Sequence, residues 1–97
     1  MATINKEDGV TIIEPEGDIT APVDELKEEI KSEVENSDQV VFDMKNVELI
    51  DSKGIGLLIA SHNSLKKEDK KLRLKNVNED ITKLMETMRL DKHFEIN

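Results

Sequence analysis

Leu49-Ile50-Asp51-Ser52-Lys53-Gly54-Ile55-Gly56 is the stretch on which the fold of this chain turns. An apolar pair ends, an acid and a small hydroxyl residue follow, and two glycines sit among apolar residues. Ile55, Leu58, Ile59 and His62 share one helical face with Leu65 below them, so a helix runs from here to about Lys67. Lys66 and Lys67 suit its negative end. Glycine inside a helix costs ~1 kcal/mol relative to alanine. Gly54 and Gly56 in the first turns therefore imply that something approaches the backbone closely, either a neighbouring strand or a partner protein. The plain structural reading makes Asp51 or Ser52 the helix N-cap. The functional reading makes Ser52 a surface hydroxyl at a helix N-terminus, where free N–H groups and the dipole can stabilise an attached phosphate.

Outward from this point, strands and helices alternate. Upstream, Val40-Val41-Phe42 is a continuous apolar run between polar residues, the pattern of a strand buried on both faces. Before it, Val23, Leu26, Ile30 and Val34 recur at three- and four-residue steps, one stripe of an amphipathic helix that Asn36-Ser37-Asp38 ends. Thr20 is the expected N-cap of that helix, with Pro22 in its first turn. Val10-Thr11-Ile12-Ile13 reads as a strand, and Asp8-Gly9 as the turn of a hairpin with residues 3–6. Downstream, Leu72 and Leu74 alternate with Arg73 and Lys75 as a half-buried strand. Asn78 caps a third helix with the stripe Ile81, Leu84, Met85 and Met88, and Leu90, Phe94 and Ile96 finish the chain as a short edge strand. The order β-β-α-β-α-β-α-β predicts an α/β fold with a mixed, mostly parallel sheet. Val40, Val41, Phe42, Leu58 and Leu74 are its expected core.

Composition removes several functions. Ninety-seven residues make one small domain. The net charge of −8 lacks the basic footprint that a nucleic-acid backbone or an anionic membrane surface requires. No apolar run approaches the ~18 residues of a membrane span, and the first residues do not read as a signal peptide. With no cysteine there are no disulfides, thiolate metal sites or cysteine nucleophiles. A cytoplasmic location is expected. Residues 1–50 carry a net of −10, and residues 51–97 a net of +2. The acidic half is either a set of solvated faces or a surface for a basic partner.

Catalytic templates fail in turn. There is no GxxxxGK[ST] loop, and Ile59 stands where a dinucleotide fingerprint needs its third glycine. His62 and His93 have no ligand partner at metal spacing, which points to structural or solvent-facing roles. No nucleophile elbow exists. Neither an enzyme nor a cofactor is expected.

Val40-Val41-Phe42-Asp43-Met44-Lys45-Asn46-Val47, followed by Ile50-Asp51-Ser52-Lys53-Gly54-Ile55-Gly56-Leu57-Leu58, resembles the STAS domain of bacterial anti-sigma factor antagonists. That family carries Asp-Ser-[Ser/Thr]-Gly-[Leu/Ile]-Gly after a buried strand. Gly17-Asp18-Ile19-Thr20 is similar to its Gly-x-Leu-[Asp/Thr] element, and Met88 to Ile96 to its C-terminal pattern. The resemblance covers the chain as a single STAS domain, residues 1–97.

It implies that the serine after the motif acid, here Ser52, is phosphorylated by a serine kinase that is also the anti-sigma factor. The unphosphorylated protein would bind that kinase and free the sigma factor, and a serine phosphatase would reverse the modification. Asp18, Thr20, Asp51, Ser52, Lys53, Gly54, Ile55 and Gly56 are the expected partner-binding residues, on a chain that is monomeric when free. The second hydroxyl of the motif is Lys53 here, and the acid that often ends the Gly-x-Leu-Asp element is Thr20. The alternative is a STAS module of a transporter or stress-signalling complex that is not phosphorylated.

Overall fold

The computed structural model describes residues 2–97. Asp8 and Gly9 both take positive φ, 49° and 81°, and so turn the chain between β1 (Ala2–Glu7) and β2 (Val10–Pro15). These strands pair antiparallel, with Ile4 opposite Ile13. Then come α1 (Asp24–Asn36), β3 (Gln39–Asp43), α2 (Ser52–Lys66), β4 (Lys71–Lys75), α3 (Glu79–Thr87), a single 3-10 turn (Leu90–Lys92) and β5 (Glu95–Ile96). The sheet order is β1-β2-β3-β4-β5, and β2 to β5 run parallel. Each parallel step needs a crossover, and each helix supplies one.

Phe42 lies in register between Ile13 and Leu74 and is fully buried. Strand alternation places Val40 and Leu72 on the same face. Leu26, Ile30 and Val34 of α1, Ile55, Leu58 and Leu65 of α2, and Ile81 and Met85 of α3 complete one core there. Val41 faces the other way, between Ile12 and Arg73, and is also buried. All five expected core residues are inside.

Three local expectations give way. Thr20 does not cap α1: the helix begins at Asp24, and Val23 at its cap position makes no side-chain cap bond. The backbone at Ile19 instead forms a parallel bridge with Ile50, and the chain bends at Ala21 before the helix starts. Leu84 and Met88 do not join the α3 stripe and are 38% and 46% exposed. The nine-residue α3 buries only Ile81 and Met85. Nothing lies within 4 Å of where a Cβ on Gly56 would stand, so no strand approaches it.

Candidate functional site

Two loop segments meet at the N-terminus of α2, and carboxylates join them. Asp18 Oδ1 accepts the N–H groups of Glu48 and Leu49, both at 3.0 Å. Ile19 N–H donates to the Leu49 carbonyl at 3.1 Å, and Asp51 N–H donates to the Ile19 carbonyl at 3.3 Å. Asp51 then spends both carboxylate oxygens. Oδ1 accepts Gly54 N–H at 2.9 Å, which caps α2, and Oδ2 accepts Ala21 N–H at 2.8 Å. The Ala21 bond, and after it the Gly54 bond, holds the Asp51 carboxyl below its ordinary value.

Gly54 belongs to the same joint. A Cβ there would run into the Ile19 carbonyl oxygen and stand 2.7 Å from Ile50 Cγ1. The close approach read from the sequence is therefore real at Gly54, and the approaching element is the Ile19 bridge. Ile55 turns inward beside it and is 5% exposed, so its side chain belongs to the core and not to the outer surface.

What remains outside is Ser52, Lys53 and Gly56, all exposed, with Asp18 and Thr20 exposed across the joint. The N-cap is Asp51, which leaves Ser52 as the first residue of α2. Its hydroxyl makes no hydrogen bond among the described residues. Leu49, 64% exposed, adds an apolar side chain on the same loop. In the sequence Leu49 reads only as part of the apolar lead-in to Asp51. No local signal distinguishes it, because only the Ile19–Ile50 pairing decides which of Leu49 and Ile50 turns outward. Asp18 is legible only as an acid two positions before Thr20, while its clamp on residues 48 and 49 is a long-range contact.

Among the described residues the site holds hydrogen-bond acceptors already in use, two free hydroxyls, those of Ser52 and Thr20, and no nucleophile–base pair. Among the described residues no group of three His, Asp or Glu side chains could hold a metal ion. No helix among them is long and apolar enough to cross a membrane.

Three solved structures share this architecture. A candidate anti-sigma factor antagonist from Thermotoga maritima is 21% identical with a TM-score of 0.90, over 98% of this chain and 84% of that one. The Bacillus cell-fate determinant SpoIIAA in its phosphorylated form is 14% identical with a TM-score of 0.78, over 100% and 91%. A sulfate transporter family protein from Wolinella succinogenes is 20% identical with a TM-score of 0.74, over 89% and 71%. At these identities the likeness is one of fold. The STAS domain model matches residues 1–97, and that domain is a non-catalytic module. With the buried strand, the Asp51 cap and the α2 glycine in their places, this chain belongs to the STAS domain family.

Proposed function

We propose that this protein is a cytoplasmic anti-sigma factor antagonist whose binding to an anti-sigma serine kinase is switched by phosphorylation of Ser52. The observation that carries the reading is the state of the Ser52 hydroxyl. It is exposed, unbonded and placed at the start of a helix whose cap is made by another residue. A phosphate can be added there without removing any contact that holds the fold. The modification adds about −1.5 to −2 charge beside Asp51 and next to exposed Leu49. A partner seated on Leu49 and the first turn of α2 would lose binding through repulsion and desolvation, with no change of fold. Lys53 lies next in the chain and would offset part of that charge. Asp18, Thr20 and Gly56 border the same surface. Gly56 leaves open space over α2 into which a partner backbone fits. The finished switch needs a serine phosphatase to reset it.

The test is affinity for the cognate anti-sigma kinase before and after quantitative phosphorylation, with the site mapped by mass spectrometry. Tight binding before and at least ~10-fold weaker binding after modification at Ser52 is expected. Equal affinities, or phosphate on Ser61 or Ser64, would reduce Ser52 to a surface residue of α2. Absence of any kinase that modifies the chain would favour a non-phosphorylated STAS module of a transporter or stress-signalling complex, and one protein of this shape is a sulfate transporter family protein.

A further inference from the structure

A second cluster of titratable groups lies at the opposite end of α2 from Ser52. His62 is ten residues along, about 15 Å at 1.5 Å per residue. Its ring sits 6.0 Å from that of His93, centroid to centroid, and 5.5 Å edge-on from Phe94. Two adjoining cavities of about 220 and 250 Å³ share these three residues. Lys66 lines one of them, and Lys70, Lys71 and Lys92 line the other.

We propose that this cleft, between the C-terminal half of α2 and the last turn of the chain, is an anion site that takes a phosphate-class oxyanion.

The charge balance is the first argument. On a chain of net charge −8, cations gather here. Lys66, Lys71 and Lys92 make no ion pair among the described residues. Two of the neighbouring acids are already engaged, since Glu95 bonds Arg73 at 3.0 Å and Glu68 meets Lys70 at 3.6 Å. Of the two carboxylates that line the cleft, Asp91 and Glu95, Asp91 is the one without an ion pair among the described residues and opposes an anion. The imidazoles are the second argument. His62 Nδ1 is buried with no hydrogen-bond partner. Burial, then His93, then Lys66 lower the His62 pKa. An anion between the rings would relieve the two repulsive contributions and raise it.

A divalent cation fits the ring spacing but not the surroundings. The cleft offers no third His, Asp or Glu in ligating position, and Lys66 repels a cation. The site is separate from Ser52 and does not depend on its modification.

The test uses the full chain and inorganic phosphate, followed by NMR at constant ionic strength with sodium chloride as the control. Phosphate should produce saturable shifts at His62, His93 and the amides of residues 90–95, and should raise the His62 pKa. Lys66→Gln with Lys92→Gln removes two exposed charges and should weaken phosphate by about tenfold or more. Asp91→Asn should tighten it. Glycerol phosphate and vesicles containing phosphatidic acid then separate a soluble phosphate ester from a lipid headgroup as the source of the anion. Equal shifts with chloride, unchanged affinity in the double lysine variant, or shifts confined to residues 52–54 would each overturn the proposal.

Discussion

Asp51 and Ala21 are thirty residues apart and joined by a 2.8 Å bond from the Ala21 N–H to Asp51 Oδ2. The other oxygen of the same carboxylate caps α2 through Gly54. One side chain therefore starts a helix and pins the preceding crossover loop to it. The ionised form makes both bonds, so its pKa is depressed. A depressed carboxyl binds fewer protons folded than unfolded, and stability rises with pH across that interval. The contribution is full above the ordinary carboxylate value and is lost as pH falls through the lower folded one. Asp51→Asn should keep a cap, because asparagine is as good an N-cap as aspartate. Its amide has only one acceptor oxygen, so it should release Ala21. Faster amide exchange at Ala21 than at Gly54, with a weaker acid-side loss of stability, is the expected pattern. Unchanged exchange at Ala21 would show that the bond adds nothing.

The two glycines of α2 should respond in opposite directions. Gly54→Ala drives a methyl into the Ile19 carbonyl and the Ile50 side chain. Overpacking of this kind costs about 1–3 kcal/mol. Gly56→Ala meets nothing and should gain up to ~1 kcal/mol of helix propensity. At roughly 4–8 °C per kcal/mol for a domain of this size, thermal melts resolve both. If a large residue at Gly56 leaves stability intact but abolishes kinase binding, a partner occupies the open space. If it leaves both intact, that position carries no close approach at all.

Phe42→Ala should cost about 3–5 kcal/mol, since the ring is fully buried between Ile13 and Leu74. Against a total of about 5–15 kcal/mol, the variant should be largely compromised. Urea titration gives the difference directly. A midpoint close to wild type would mean that the neighbours close over the lost ring.

Ser52→Ala should melt like wild type, because the hydroxyl holds nothing and the cap is Asp51. It should bind the kinase and accept no phosphate, giving constitutive antagonism. Ser52→Asp adds about one charge where phosphate adds nearly two, so it should weaken binding only in part. Lys53→Ser restores the commoner motif and should speed phosphate incorporation. Labelled phosphate uptake and calorimetric affinity test all three. Loss of fold in Ser52→Ala would contradict the free hydroxyl.

The alternating order of strands and helices was legible in the chain because its periods are local. Val40 to Phe42 form an apolar run that only a covered strand accommodates, and Leu26, Ile30 and Val34 repeat at helical spacing. The turn at Asp8-Gly9 and the Asn78 cap of α3, which accepts the Ile81 N–H at 2.8 Å, need only neighbouring residues. Asp51 and Ser52 could both be read as a helix start, but not which of them would cap it. That choice came from tertiary structure. The Ile19–Ile50 bridge drew the first loop against the second, gave Asp51 a second donor in Ala21 and left Ser52 free. It also engaged the backbone at Ile19 just before Thr20, which caps nothing while α1 starts at Asp24, and it placed a carbonyl where Gly54 would otherwise tolerate a side chain. Propensity and periodicity describe a few turns of chain. Which loop lies against which is decided by contacts across thirty residues, such as Ala21 to Asp51, which no local pattern encodes.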